Sequence, residues 1–203
     1  MNRVIIFFFL VFGFFHANAQ FVEDDDGPIT KKKFLAQLDR IKVAYMPPKG
    51  YELIYDSHNA RLGSIILTGS RHQLKALKDS VLIYFALFQI DTTKALSERL
   101  KKFGMFNDLN QNYLKVAGRD TVNNPIVYDS RDVSRNKYGA DRSGTYDLTL
   151  PGPYKDQYWL CKTLFIHKES RADIWLYFFY NPGSARKLNK HIVRISKTIK
   201  FLD

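Results

Sequence analysis

The reading of "VLIYFALFQI", Val81 to Ile90, decides the fold. The run is apolar almost throughout, which suits a buried strand. It also suits a helix that starts near Ser70 and stacks Leu74, Leu77, Val81, Phe85 and Phe88 on one side. Periodicity leaves both open. Enrichment in Val, Ile, Tyr and Phe, and the helix-start signal Asp91-Thr92-Thr93 directly after it, favour the strand. A second run, "ADIWLYFFYN" from Ala172 to Asn181, is apolar on both pleat faces. Strands of this kind belong in the middle of a sheet whose two faces are covered.

The segments around these two runs supply the rest of the fold. Thr30 to Arg40 places Phe34, Leu35, Leu38 and Ile41 at helical spacing. In Ile41 to Asp56, alternating apolar residues flank Pro47-Pro48-Lys49-Gly50, a turn cluster that predicts a hairpin. Gly63 to Gly69 predicts a third strand, and the polar stretch Ser70 to Asp79 a helical turn. Thr93 to Phe103 carries Leu96, Leu100 and Phe103 on one stripe and stops at Gly104, which predicts a helix. Gly104 to Gly144 is rich in Asn, Asp, Arg and Gly, so a long irregular loop is expected, with one short strand at Ile126-Val127-Tyr128. Strands follow at Thr145 to Leu150, Tyr158 to His167 and Ala172 to Tyr180, the last two joined by a turn at Lys168-Glu169-Ser170-Arg171. Ser184 to Lys200 is predicted as a closing amphipathic helix whose Leu188, Ile192, Ile195 and Ile199 dock on the sheet. The expected class is α+β: a mostly antiparallel central sheet flanked by helices in an α/β/α sandwich.

The N-terminus carries an address. Arg3 precedes an apolar run from Val4 to Phe15, too short for the roughly twenty residues of a membrane span but right for a signal peptide. Ala17-Asn18-Ala19 supplies the small-x-small cleavage pattern, so residues 1–19 are expected to be removed after Ala19. Of 203 residues, the loss of 19 leaves 184, enough for one domain over 30–203 behind a flexible acidic leader at 20–29 containing Glu23-Asp24-Asp25-Asp26. No cysteine follows the junction to take a lipid, and the mature chain has no further apolar span. The expected location is periplasmic or secreted. Cys161 is the one cysteine, so intramolecular disulfides and thiol clusters are excluded, and its apolar setting marks a small buried hydrophobe.

Thirty-one Lys and Arg oppose 20 Asp and Glu, a net charge of +11. Such basicity invites nucleic acid, but export argues against it and points to a protein or an anionic envelope component. The residues expected to meet that partner are Arg131, Asp132, Arg135, Asp141 and Arg142 in the long loop, and Lys187, Lys190 and Arg194 on the last helix.

No catalytic frame emerges. The mature histidines are His58, His72, His167 and His191, none in a His-x-x-x-His frame, so no metal is expected. Asp56-Ser57-His58 reads as a turn, and His167 and His191 as exposed. The Gly-x-Ser-x-Gly elbow, the P-loop and the dinucleotide fingerprint are all missing, so neither catalytic residues nor a cofactor are assigned. Trp175 and Phe179 share one pleat face beside Trp159 in the neighbouring strand, and a cavity wall including Phe85 would be needed for ligand carriage.

Tyr45-Met46-Pro47-Pro48-Lys49-Gly50-Tyr51 is similar to the aromatic-x-x-Pro-x-Gly-aromatic opening of PsbP-like proteins, and the closing helix ending Ile199-Lys200-Phe201 completes the likeness in topology. The resemblance spans Ile41 to Asp203, with no counterpart for the loop from Gly104 to Gly144. It implies an α/β/α sandwich and binding or assembly work more than catalysis. The leading expectation is a non-enzymatic exported binding or accessory protein of the bacterial envelope. A periplasmic immunity protein against a secreted toxin and an envelope hydrolase with a non-motif site are the alternatives.

Overall fold

A computed structural model describes residues 31–55, 60–62, 65–67, 72–90, 126–150 and 152–203. The signal and leader segments, the turn at Asp56-Ser57-His58 and the helix expected over Thr93 to Phe103 lie outside the described residues.

Val81–Gln89 (β6) and Ala172–Tyr180 (β10) are strands, and they pair with each other antiparallel along their whole length, from Ala172↔Gln89 to Tyr180↔Val81. They are the third and fourth strands of a seven-stranded sheet. Tyr51–Tyr55 (β2) and His72–Ala76 (β5) flank β6 on one side. On the other side of β10 come Leu160–Lys168 (β9), Arg142–Leu148 (β8) and Val127–Tyr128 (β7). Every pairing is antiparallel. All nine residues of β10 are buried, as an apolar strand at the centre of a covered sheet must be.

Pleat alternation splits the interior in two. Ile83, Phe85, Ile174, Leu176 and Phe178 face the helices Lys31–Arg40 (α1), Arg131–Tyr138 (α2) and Ala185–Ser196 (α3), meeting Phe34, Leu38, Tyr138, Leu188 and Ile195. The opposite face is aromatic: Tyr84, Tyr146, Phe165, Trp175, Tyr177 and Phe179 lie there with Tyr154 and Tyr158. Phe179 and Tyr154 stack at 4.0 Å. The α+β class, with an antiparallel sheet flanked by helices and the C-terminal helix docked on it, is borne out.

Four local expectations are corrected. Val43–Tyr45 (β1) and β2 do not form a hairpin: β1 pairs with Ile199–Phe201 (β11), while β2 pairs with β5. Alternation marks a strand but is silent on its partner, and here the partner is the far end of the chain. That same end corrects the closing helix, which stops at Ser196 rather than Lys200. Ser196 Oγ donates to the Val193 carbonyl at 3.0 Å and Thr198 Oγ1 to that of Ile195 at 2.7 Å, satisfying last-turn acceptors. Ile199 and Phe201 are then buried and Lys200 exposed, a period of two.

The polar stretch Ser70 to Asp79 is not a helical turn where described, but β5 and a tight turn into β6. Two of its polar residues, His72 and Gln73, are buried because they are bonded: Tyr45 OH meets His72 Nε2 at 3.0 Å, and Lys155 Nζ donates to Gln73 at 3.2 Å. The expected strand at Gly63 to Gly69 is present as Ile65–Leu67 (β4), paired with Ala60–Leu62 (β3).

The end of the supposed loop from Gly104 to Gly144 holds α2. Ser130 Oγ caps it by accepting from Val133 N–H at 3.3 Å, and Gly139 closes it in the left-handed region at φ 62°. A Cβ at Gly139 would run into the backbone carbonyl of Phe201. Gly139→Ala is therefore expected to lower stability by about 2–4 kcal/mol, combining left-handed strain with displacement of β11. Urea unfolding checks this, and a loss below about 0.5 kcal/mol would show that the contact yields freely.

Candidate functional site

The helical spacing of α3 sorts its side chains. Leu188, His191 and Ile195 point inward, while Lys187, Lys190, Arg194 and Lys197 recur three or four residues apart on an exposed stripe. The stripe borders a cleft of about 600 Å³ whose other wall is Pro48-Lys49-Gly50 and the β5–β6 turn from Ala76 to Asp79. Those two segments are held together by Leu77 N–H donating to the Gly50 carbonyl at 3.1 Å. Gly50 adopts φ 90°, and an ideal Cβ built there would lie 3.5 Å from Arg194 Nη1, so the guanidinium lies over the turn.

Under the cations runs a polar strut. Asp79 Oδ2 lies 3.2 Å from His191 Nε2, and His191 Nδ1 lies 2.6 Å from Tyr51 OH. An ionised carboxylate only accepts, so Nε2 carries the imidazole proton and Nδ1 accepts from the Tyr51 hydroxyl. The titration directions agree. The Lys187 hydrogen bond, helped by that of His191, holds Asp79 below its ordinary range. Burial pushes His191 down despite Asp79, with Arg194 and Lys190 adding to the push. Burial raises Tyr51, partly offset by Arg194. The strut is thus an aspartate, a neutral imidazole and a neutral phenol, tying β2, the β5–β6 turn and α3 together.

The charge balance of the cleft follows. Lys49, Lys78, Lys190 and Arg194 face one acid, Asp79, whose oxygens are already engaged by Lys187 at 2.5 Å and by His191. Among the described residues Lys49, Lys78 and Lys190 make no ion pair with a carboxylate. Such a site attracts anions and offers them donors beside a carboxylate that is already paired.

The residues expected to meet a partner divide into two places. Lys187, Lys190 and Arg194 are brought together at the cleft. Arg131, Asp141 and Arg142 line a separate hollow of about 510 Å³ with Asp129, Ser134 and Glu169. Asp132 and Arg135 stand exposed on α2, outside that lining. The hollow mixes signs, and its acids are partly used: Asp141 accepts from Glu169 N–H at 2.8 Å and lies 3.8 Å from Lys168, while Asp129 accepts from Ser143 at 2.6 Å.

Lys49, Lys78, Asp79, Tyr51 and His191 were missed as site residues. His191 was expected to be exposed, yet only 5% of it is. The signal was there: at three residues after Leu188 and four before Ile195 it falls on the apolar stripe. His167 is likewise half-buried rather than exposed, because its strand partner is Asp173 and the two bond at 2.5 Å. Burial disfavours the charged ring, but the Asp173 hydrogen bond and the charges of Asp173 and Asp141 override it, so His167 titrates above 6.5. A raised folded value stabilises the protein below the unfolded value and the benefit fades as pH climbs through the folded one. Stability should therefore decline above pH 6.5 in the native chain, and His167→Gln should flatten that slope in urea titrations. Identical slopes would contradict the pairing.

The supposed aromatic cavity wall does not assemble. Trp175 and Phe179 share a face as expected, but Phe85 pairs with Leu176 and points to the helices, and Trp159 is 60% exposed. Cys161 is buried as expected, and burial pushes its thiol up, which leaves it unreactive. Among the described residues no three His, Cys, Asp or Glu gather as a metal site, and no helix is long and apolar enough to cross a membrane.

Among solved structures the chain is similar to the cyanobacterial PsbP (CyanoP) of Synechocystis sp. PCC 6803, with TM-score 0.45 and 9% identity over 80% of this chain and 88% of that one. It is similar also to LpqN of Mycobacterium tuberculosis, described as involved in cell envelope biogenesis, with TM-score 0.41 and 10% identity over 78% of this chain and 82% of that one. The PsbP-like resemblance is thereby met as a weak relationship of fold, with no bearing on activity. No protein-family model and no curated protein matches the chain.

Proposed function

We propose that the chain is an exported, non-enzymatic binding domain of the bacterial envelope, which holds an acidic group of a protein or envelope component in the cleft beside α3. The observation that carries this reading is the cleft's uncompensated charge: Lys49, Lys78, Lys190 and Arg194 surround an aspartate that Lys187 and His191 already satisfy. Removal of residues 1–19 would release a basic domain into a compartment bounded by anionic surfaces. The α2 hollow, where acids answer arginines, is assigned no part in this recognition.

The test is capture of envelope material by the immobilised mature chain at about 0.1 M and about 1 M salt, between which the Debye length falls from about 10 to about 3 Å. Retention at low salt that is lost at high salt, and lost in Lys78→Gln/Lys190→Gln at either, is the expected result. Salt-independent capture, or capture unchanged in the double variant, would refute charge-driven recognition at this cleft.

A further inference from the structure

The rim of the basic cleft is not only charged. Leu77 sits at the tip of the β5–β6 turn beside Lys78, 66% exposed, and Val193 is 48% exposed on α3 between Lys190 and Lys197. The same surface carries Lys49, Lys187, Lys190, Arg194 and Lys197, all exposed. Most of these are lysines on long flexible stems, suited to point-charge attraction more than to one planar, bidentate ligand. An exposed leucine set among lysines gains nothing from water and little from a soluble polyanion. It gains from a layer that is anionic at its surface and apolar a few ångströms below.

We infer that this face docks on a bilayer containing anionic phospholipid, with headgroup phosphates against the α3 stripe and in the cleft, and Leu77 entering the headgroup–acyl boundary. The inference rests on the proposed anion-recognising role of the cleft and names its occupant. Charge complementarity selects it: the acid in the cleft, Asp79, is already paired with Lys187 and bonded to His191, so the approaching phosphates meet Lys49, Lys78, Lys190 and Arg194 in excess over it, beside the exposed side chain of Leu77. Binding energy would come from several lysines acting additively, each contributing modestly near an anionic surface.

The experiment uses the mature chain and vesicles of phosphatidylcholine with or without about one third phosphatidylglycerol. Co-sedimentation should occur with phosphatidylglycerol alone, and Lys78→Gln/Lys190→Gln should weaken it about thirtyfold with an unchanged melting curve. A polarity-sensitive dye on Leu77→Cys, selective because the Cys161 thiol is buried, should shift its emission to the blue only with those vesicles. Absence of binding to phosphatidylglycerol vesicles, equal binding to both vesicles, or an unmoved dye would overturn the inference. Polyglutamate separates the two readings: if it binds and the double variant loses it while vesicles fail, cleft recognition stands and the bilayer is the wrong occupant. Failure with both polyglutamate and vesicles removes both.

Discussion

Phe178→Ala will lower the stability of the domain by about 3–5 kcal/mol, a loss in the top range for a single core truncation. Phe178 is fully buried in the middle of β10, with Ile83 opposite it on β6 and Lys162 opposite it on β9. It faces the helices, where α3 packs with Leu188 and Ile195, so its ring is part of the surface on which the last helix rests. Neighbours on two hydrogen-bonded strands cannot move in to fill the space without breaking ladder bonds, which keeps the cavity open and the cost high. Against a total of about 5–15 kcal/mol, such a loss brings the protein close to its unfolding limit. Urea unfolding followed by circular dichroism measures it. A loss under about 1 kcal/mol would mean that the site collapses readily, and that β10 is not the rigid centre on which α3 and its cations are positioned.

Acid is the second large lever, through His72. The ring lies flat on Phe34 at 3.7 Å, edge-on to Phe85 at 4.8 Å, and is 1% exposed. Burial lowers its titration from 6.5 to about 3. The sign follows: below 6.5 the unfolded chain takes up a proton that the folded chain refuses, so stability falls as pH drops through the window from 6.5 to about 3. At about 1.4 kcal/mol per unit, the loss attributable to His72 is on the order of 3 kcal/mol by about pH 4. His72→Gln retains a hydrogen-bonding group toward Tyr45 and does not titrate. Its unfolding free energy should fall less steeply than that of the native chain across this window, and parallel curves would show that His72 is hydrated in the folded state.

How much of this was legible depends on what each signal encodes. Of the two central strands, β10 announced itself because a stretch apolar on both faces has few places to go, and "ADIWLYFFYN" matches it from its first residue. By periodicity β6 fitted a helix equally well, and was separated from one only by its Val, Ile, Tyr and Phe content and the helix-start signal after it. Pairing partners were not legible. Val43–Tyr45 and Ile199–Phe201 are each three residues long and lie at opposite ends of the described chain, so local alternation said nothing of their union. Polar composition concealed α2, where the cap at Ser130 and the stop at Gly139 were the usable signals, and concealed β5, where His72 and Gln73 are buried by virtue of bonds formed only in the fold. The site was half visible. Lys187, Lys190 and Arg194 follow from helical spacing, whereas Lys49, Lys78 and Asp79 join them only because the Pro47-Pro48 connection and the β5–β6 turn meet at the Leu77–Gly50 hydrogen bond.

The central claim is that anions are received at the cleft beside α3, and amide chemical-shift mapping during titration with polyglutamate tests it most directly. Shifts concentrated at Gly50, Leu77, Lys78, Lys190 and Arg194, saturable and abolished by Lys78→Gln/Lys190→Gln, are what the charge arrangement predicts. Shifts centred instead on Arg131, Asp132, Arg135 and Arg142, or spread evenly over every exposed lysine, would place recognition elsewhere and contradict it.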